Sequence, residues 1–137
     1  MEIKQMTFEE LNPEIFTIIM DDMTEKCGSV ELNSKKFAFA LVEDGEICGG
    51  ITGSLDFEKM FINCLGVNKK ARGRDYGIKL MEALEAKAVE EGVKLMTVST
   101  LDFQALGFYQ KMGYKIWGTL EDCPYVGRTE YHLYKKL

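Results

Sequence analysis

The sequence predicts a mixed α/β domain, a single-layer sheet with helices packed on it. Three features carry that reading. "MFINCLGV" at 60–67 and "VKLMTVST" at 93–100 are apolar enough to be strands buried on both faces. Between them, 77–91 has the pattern of an amphipathic helix. Upstream, "FAFALVEDGEICGGITGSL" reads as a hairpin.

Taken in order, "MEIKQM" is a short strand candidate, and a helix begins near Thr7 or Pro13, with Ile15, Ile18, Ile19 and Met23 at helical spacing. Periodicity fails through "EKCGSVELNSKK" at 25–36. The hairpin then places strands at Phe37–Glu43 and from Glu46 to about Leu55, joined by an Asp44-Gly45 turn. After the 60–67 strand, Met81, Leu84 and Ala88 form the apolar stripe of the 77–91 helix. Lys79, Glu82, Glu85, Lys87 and Glu90 take its other side, and Gly92 stops it. "QALGFYQKM" is a short helix ended by Gly113, and "YKIWGTLE" and "TEYHLYKKL" are two closing strands. The predicted order is β-α-β-β-β-α-β-α-β-β. With no repeat, low-complexity tract or linker, residues 1–137 are expected to form one domain.

Composition narrows the function. A chain of 137 residues, 46% hydrophobic, can bury a core without metals or disulfides. A net charge of -5 argues against nucleic-acid binding, which needs a broad positive face. Cys27, Cys48, Cys64 and Cys123 form no C-x-x-C pair and read as free thiols; His132 is the single histidine, which argues against zinc or a Ser/His/Asp site. The charged start "MEIKQMTFEE" is no signal peptide and no run is long enough to span a membrane, so the expected location is the cytoplasm.

Against this acidic background, "NKKARGRDYGIKLM" at 68–81 gathers Lys69, Lys70, Arg72, Arg74 and Lys79 around two glycines. A strand that passes through such a loop straight into a helix brings unpaired backbone N–H groups and the positive helix end to one point, a phosphate cradle. Neither the P-loop spacing nor the dinucleotide spacing of glycines is present.

The segment resembles the acyl-CoA pyrophosphate loop of the GNAT superfamily of N-acetyltransferases, which has Gln or Arg, Gly three residues on, and Gly or Ala two further. Arg72, Asp75 and Gly77 occupy those positions. Downstream, "FQALGFYQKMGY" is similar to a second family segment through Ala105, Phe108, Tyr109, Lys111, Gly113 and Tyr114. The resemblance implies a GNAT fold, a mixed central sheet of six to seven strands flanked by helices, with acetyl-CoA as co-substrate. It implies that Arg72, Gly73, Arg74, Asp75, Tyr76, Gly77 and Ile78 hold the pyrophosphate. It also implies a bulge that parts the pre-loop strand from its parallel neighbour, so that pantetheine pairs with the backbone near Leu65 and Val67. Gly66 suits that bulge. Tyr109 matches the residue that donates a hydrogen bond or proton to the departing thiolate.

Two departures stand out. Asp75 replaces the loop's second glycine; Asp tolerates left-handed backbone, and its carboxylate is expected to face outward, toward Lys79. Asn63 stands where many relatives carry an acid, and it cannot accept a proton. A base is nevertheless wanted, because an alkylamine of pKa ~10.4 must lose a proton at a cost of about 4–5 kcal/mol near neutral pH. Asp56, Glu58, Glu121 and Asp122 are the remaining carboxylates on a plausible acceptor side, and they favour a cationic acceptor. Cys64 or Cys123 could carry an acyl-cysteine intermediate, but Cys64 has no basic sequence neighbour to activate it.

The resulting expectation is direct acetyl transfer in a ternary complex to a primary amine, on a small molecule or on a protein or peptide. A catalytically weakened acyl-CoA-binding or regulatory module is the alternative, motivated by Asp75 and Asn63. Relatives commonly form homodimers through the closing strands; no metal, membrane or nucleic-acid partner is expected.

Overall fold

A computed structural model describes residues 1–29 and 33–137 of the chain. Val30, Glu31 and Leu32, in the stretch where periodicity fails, lie outside the described residues. Two compact units divide the chain, Met1–Leu32 and Asn33–Leu137.

The first unit contains helix α1, Phe8–Cys27. Thr7 is its N-cap in extended conformation: its hydroxyl accepts from the Glu10 N–H, and the Glu10 carboxylate accepts from the Thr7 N–H in return. The helix therefore starts at the first of the two expected positions and runs on through Pro13. Residues 1–6 are not a strand, contrary to expectation. Alternating apolar and polar side chains permit a strand there, but no ladder partner turns that pattern into one among the described residues.

The second unit is a six-stranded sheet. Its strands are β1 Lys35–Glu43, β2 Glu46–Asp56, β3 Lys59–Val67, β4 Leu95–Leu101, β5 Lys115–Glu121 and β6 Thr129–Lys136. Their spatial order is β1-β2-β3-β4-β6-β5, and only the β3–β4 contact is parallel. Helix α2, Tyr76–Glu90, provides the crossover between β3 and β4, and helix α3, Leu106–Lys111, follows β4. At the β1–β2 hairpin, Asp44 and Gly45 both take positive φ, 50° and 81°, the requirement of a two-residue turn matched to strand twist.

The core lies between the sheet and α2, whose Leu80, Met81, Leu84 and Ala88 are buried with Ile51, Leu55, Met60 and Ile62. Gly53 of β2 allows the helix to come down this far, since a Cβ there would stand 3.0 Å from Leu84 Cδ1. Tyr109 of α3 and Tyr114, just before β5, complete the same core. The Tyr114 hydroxyl donates to Glu85 Oε1 at 2.9 Å, and Lys135 Nζ meets Glu85 Oε2 at 2.9 Å. Burial, and then the charge and hydrogen bond of Glu85, push the Tyr114 phenol far above its ordinary pKa.

One irregularity shapes everything downstream. On β3, Thr52 pairs with Cys64 and Gly53 with Ile62, so Asn63 is an extra, unpaired residue. The bulge is thus at Asn63; Gly66, the expected site, sits in regular register opposite Gly50. Its effect is a phase change: Met60 and Ile62 are buried before it, whereas Leu65 and Val67 are the more buried positions after it.

Candidate active site

Strands β3 and β4 are hydrogen-bonded neighbours only from Lys59↔Leu95 to Phe61↔Thr97. Beyond that point β3 bulges at Asn63 and the strands part, leaving backbone on both facing edges without a ladder partner. The wedge opens into a cavity of about 590 Å³, lined in part by Asn63, Cys64, Leu65, Ser99 and Tyr109. A second cavity of about 720 Å³ runs along the end of β3 and the start of α2. The two share Leu65, Arg72, Gln104, Ala105 and Tyr109, forming one groove from the loop to the interior of the split.

The loop residues are placed as a cradle. A 3₁₀ turn at Lys69–Ala71 follows Asn68, whose side chain accepts from the Lys70 N–H at 3.4 Å. Arg72 Nε donates to the Val67 carbonyl at 3.0 Å, which anchors the guanidinium at the end of β3 while it lines both cavities. Gly73 takes φ +80°, and Asp75 takes φ 59°, ψ 21°, the left-handed conformation a glycine would adopt with less strain. With no side-chain cap bond from Asp75, the first turn of the 15-residue α2 keeps its N–H groups free for an anion. Gly77 lies in that turn, and a Cβ on it would touch the Phe108 ring at 3.4 Å.

Leu65, Val67, Arg72, Gly73, Asp75, Tyr76, Gly77 and Ile78 all line the 720 Å³ cavity. Arg74 does not: its Nη1 meets Glu43 Oε1 of the β1 hairpin at 3.0 Å, and the Tyr76 hydroxyl donates to the same oxygen. Asp75 makes no ion pair with Lys79 and borders the groove; Lys79 Nζ instead lies over the Tyr76 ring at 5.5 Å.

Tyr109 stands at the junction of the two cavities, 5% exposed, its ring set edge-on to Phe108 and Tyr114. Burial, and secondarily the Cys64 thiol, raise its phenol above the ordinary tyrosine value, so the proton stays on oxygen at neutral pH. Asn63 also lines the inner cavity, and its Oδ1 accepts from the Ser54 hydroxyl at 2.7 Å.

The carboxylates expected on the acceptor side are not brought to the groove. Asp56 accepts from Ser34 at 3.0 Å, Asp122 accepts from the Gly127 N–H at 2.8 Å within its own loop, and neither they nor Glu58 nor Glu121 lines either cavity. Ser99, which no sequence motif marks, and His132, the single histidine, are instead joined beside the cavity. Only strand pairing brings them together, because 33 residues separate them. The phase change in β3, apolar at 60 and 62 and then at 65 and 67, was the sequence signal that could have located the bulge.

Comparison with known proteins gives the same assignment. The family model described as the Acetyltransferase (GNAT) family matches residues 2–114. Blasticidin-S acetyltransferase of Streptomyces morookaense is 39% identical over 100 residues, 72% of this chain and 73% of that protein. Among solved structures, an acetyltransferase from Bacillus cereus is 29% identical with a TM-score of 0.87, covering 100% of this chain and 98% of the other. The aminoglycoside 6'-N-acetyltransferase from Enterococcus faecium has a TM-score of 0.66 at 19% identity, covering 99% and 97%, and is alike in fold. Neither sequence nor structural relatives lend support to a module without turnover.

Proposed function

Because the chain belongs to the GNAT acetyltransferase family and so is an N-acetyltransferase that uses acetyl-CoA, we propose that its acceptor is a primary amine on a small cationic compound of the blasticidin-S type. The observation that carries the proposal is the 39% identity to a blasticidin-S acetyltransferase across 72% of the chain. Residues 1–137 then act as one acetyltransferase domain.

The groove supports a division of labour. Backbone N–H groups of Gly73 and of Asp75–Ile78, with the Arg72 guanidinium, suit a pyrophosphate at the start of α2. The backbone at Leu65 and Val67, freed by the bulge, suits the amide groups of pantetheine, which would continue the sheet across the split. That path leads the thioester to Tyr109. The amine attacks the thioester carbon directly, and the Tyr109 hydroxyl donates to the departing sulfur. A phenol held above its ordinary pKa is a weak acid in bulk, but a positioned one is a competent donor to a forming thiolate.

The test follows thiol release from acetyl-CoA with blasticidin S, and with a panel of simple primary amines and lysine peptides, while CoA binding is measured calorimetrically. The expected result is thiol release matched by a singly N-acetylated blasticidin S. Turnover confined to lysine peptides would replace the acceptor, and CoA binding with no turnover on any amine would overturn the enzymatic reading.

A further inference from the structure

The residues lining the inner cavity include no carboxylate and no imidazole, and Asn63 cannot take a proton. The acceptor amine still has to lose one. A single polar side chain on that wall leads to a base. Ser99 is two residues beyond the last β3–β4 pair, lines the cavity, and its Oγ lies 2.9 Å from His132 Nδ1 on β6. Behind the imidazole, His132 Nε2 lies 3.1 Å from Glu130 Oε1, and both side chains are about three-quarters buried, with 24% and 23% exposure. We infer that Ser99, His132 and Glu130 form the proton-accepting relay for the acceptor amine, with the Ser99 hydroxyl touching the amine and His132 acting through it.

The geometry fixes the direction of the relay. Nε2 is buried, close to the carboxylate but poorly aligned for a hydrogen bond. A bare lone pair facing Glu130 would be repelled, so the neutral ring carries its proton on Nε2 and presents a basic Nδ1 to Ser99. Glu130 is braced from its other oxygen: the Cys123 Sγ approaches Oε2 at 3.4 Å, and that hydrogen bond, with burial, holds the thiol proton above its ordinary pKa. Glu130 is the carboxylate at this ring, with Cys123 on its far oxygen; Trp117 lies 5.5 Å away between ring centres, and the backbone at Gly118 packs against the imidazole.

The step balances as follows. An acceptor that arrives as an ammonium first gives one proton through Ser99 Oγ and His132 Nδ1 to solvent. As the neutral nitrogen then bonds to the thioester carbon and the carbon–sulfur bond breaks, it gives a second to Ser99 Oγ, which passes its own to His132 Nδ1. The imidazolium is then paired with Glu130. The Tyr109 hydroxyl donates a hydrogen bond to the departing thiolate, which takes its proton from solvent as His132 releases its own there, so that neutral amine and acetyl-CoA become amide and free thiol.

The relay rests on the acetyltransferase reading but not on the particular acceptor, so one arm of the test needs no turnover. His132 is the sole histidine of the chain, and its ring signals in ¹⁵N NMR need no assignment. The expected spectrum is the Nε2–H tautomer. An Nδ1–H tautomer would overturn the relay whatever the acceptor. In turnover with blasticidin S or the best amine of the panel, His132→Gln and Ser99→Ala should lower kcat roughly 10- to 1,000-fold and leave acetyl-CoA binding intact. Ser99→Thr, which keeps the hydroxyl, should recover most of the rate. The acid limb of kcat/KM should vanish in His132→Gln. A wild-type rate and pH profile in folded His132→Gln, judged by its NMR spectrum, would also overturn it.

Discussion

Tyr109 is placed to serve both the core and the proposed chemistry, since its ring is packed among aromatics while its residue borders both cavities. Tyr109→Phe keeps the packing and deletes the hydroxyl, so acetyl-CoA affinity should persist while kcat and kcat/KM fall together, roughly 10- to 1,000-fold. Steady-state kinetics with a calorimetric Kd checks both halves. At the loop, Gly77→Val presses branched carbons toward a Phe108 ring that a bare Cβ already meets at 3.4 Å, and should weaken CoA binding at least tenfold. Lys79→Ala should change it little, because Lys79 lies over Tyr76 and does not line the groove. Asp75→Gly relieves a left-handed backbone costing about 1–2 kcal/mol but loosens the unfolded chain by a similar amount. Stability should therefore hold while CoA affinity stays or improves; a large loss in the binding isotherm would assign Asp75 an organising role. The loop was legible at this scale because its chemistry is local, with basic residues and glycines adjacent in sequence. The Ser99–His132 contact was not, because strand pairing creates it.

At the scale of elements, α2 and the hairpin were legible to within a residue or two, their periodicity and turn residues being local signals. The initial strand failed because alternation alone cannot supply a ladder partner, and the bulge was placed on Gly66 because a glycine is a louder signal than a slip of apolar phase. A buried latch tests how α2 is tied to the far side of the sheet, where Tyr114 and Lys135 converge on Glu85. Tyr114→Phe removes a hydrogen bond to a charged group and should cost about 1.5–3 kcal/mol at pH 7. Its folded pKa is raised, so the phenol's contribution is complete below the unfolded value of about 10 and is lost as pH rises through the folded value. Urea denaturation at neutral pH and above pH 10 should show the gap between variant and wild type narrowing at the higher pH.

For the molecule as a whole, the sheet is continuous for three residue pairs between β3 and β4 and open thereafter, and on the proposed reading its co-substrate would fill that gap. Acetyl-CoA at a hundred times its Kd should raise unfolding stability by about 2.7 kcal/mol, read as an increase in Tm. Hydrogen exchange should slow most at 65–67 and at the first turn of α2. Slowing spread evenly over the sheet would place the ligand elsewhere. The bulge has a further consequence, for how such a protein can change over time. Because Asn63 is the extra residue, it and Cys64 stand consecutively exposed at the cavity, while Ile62 on one side and Leu65 on the other serve the interior. An ordinary strand would alternate the two duties residue by residue. Here two adjacent codons can change the lining of the cavity without touching the hydrophobic core, so the shape of the groove is inherited separately from the ability to fold.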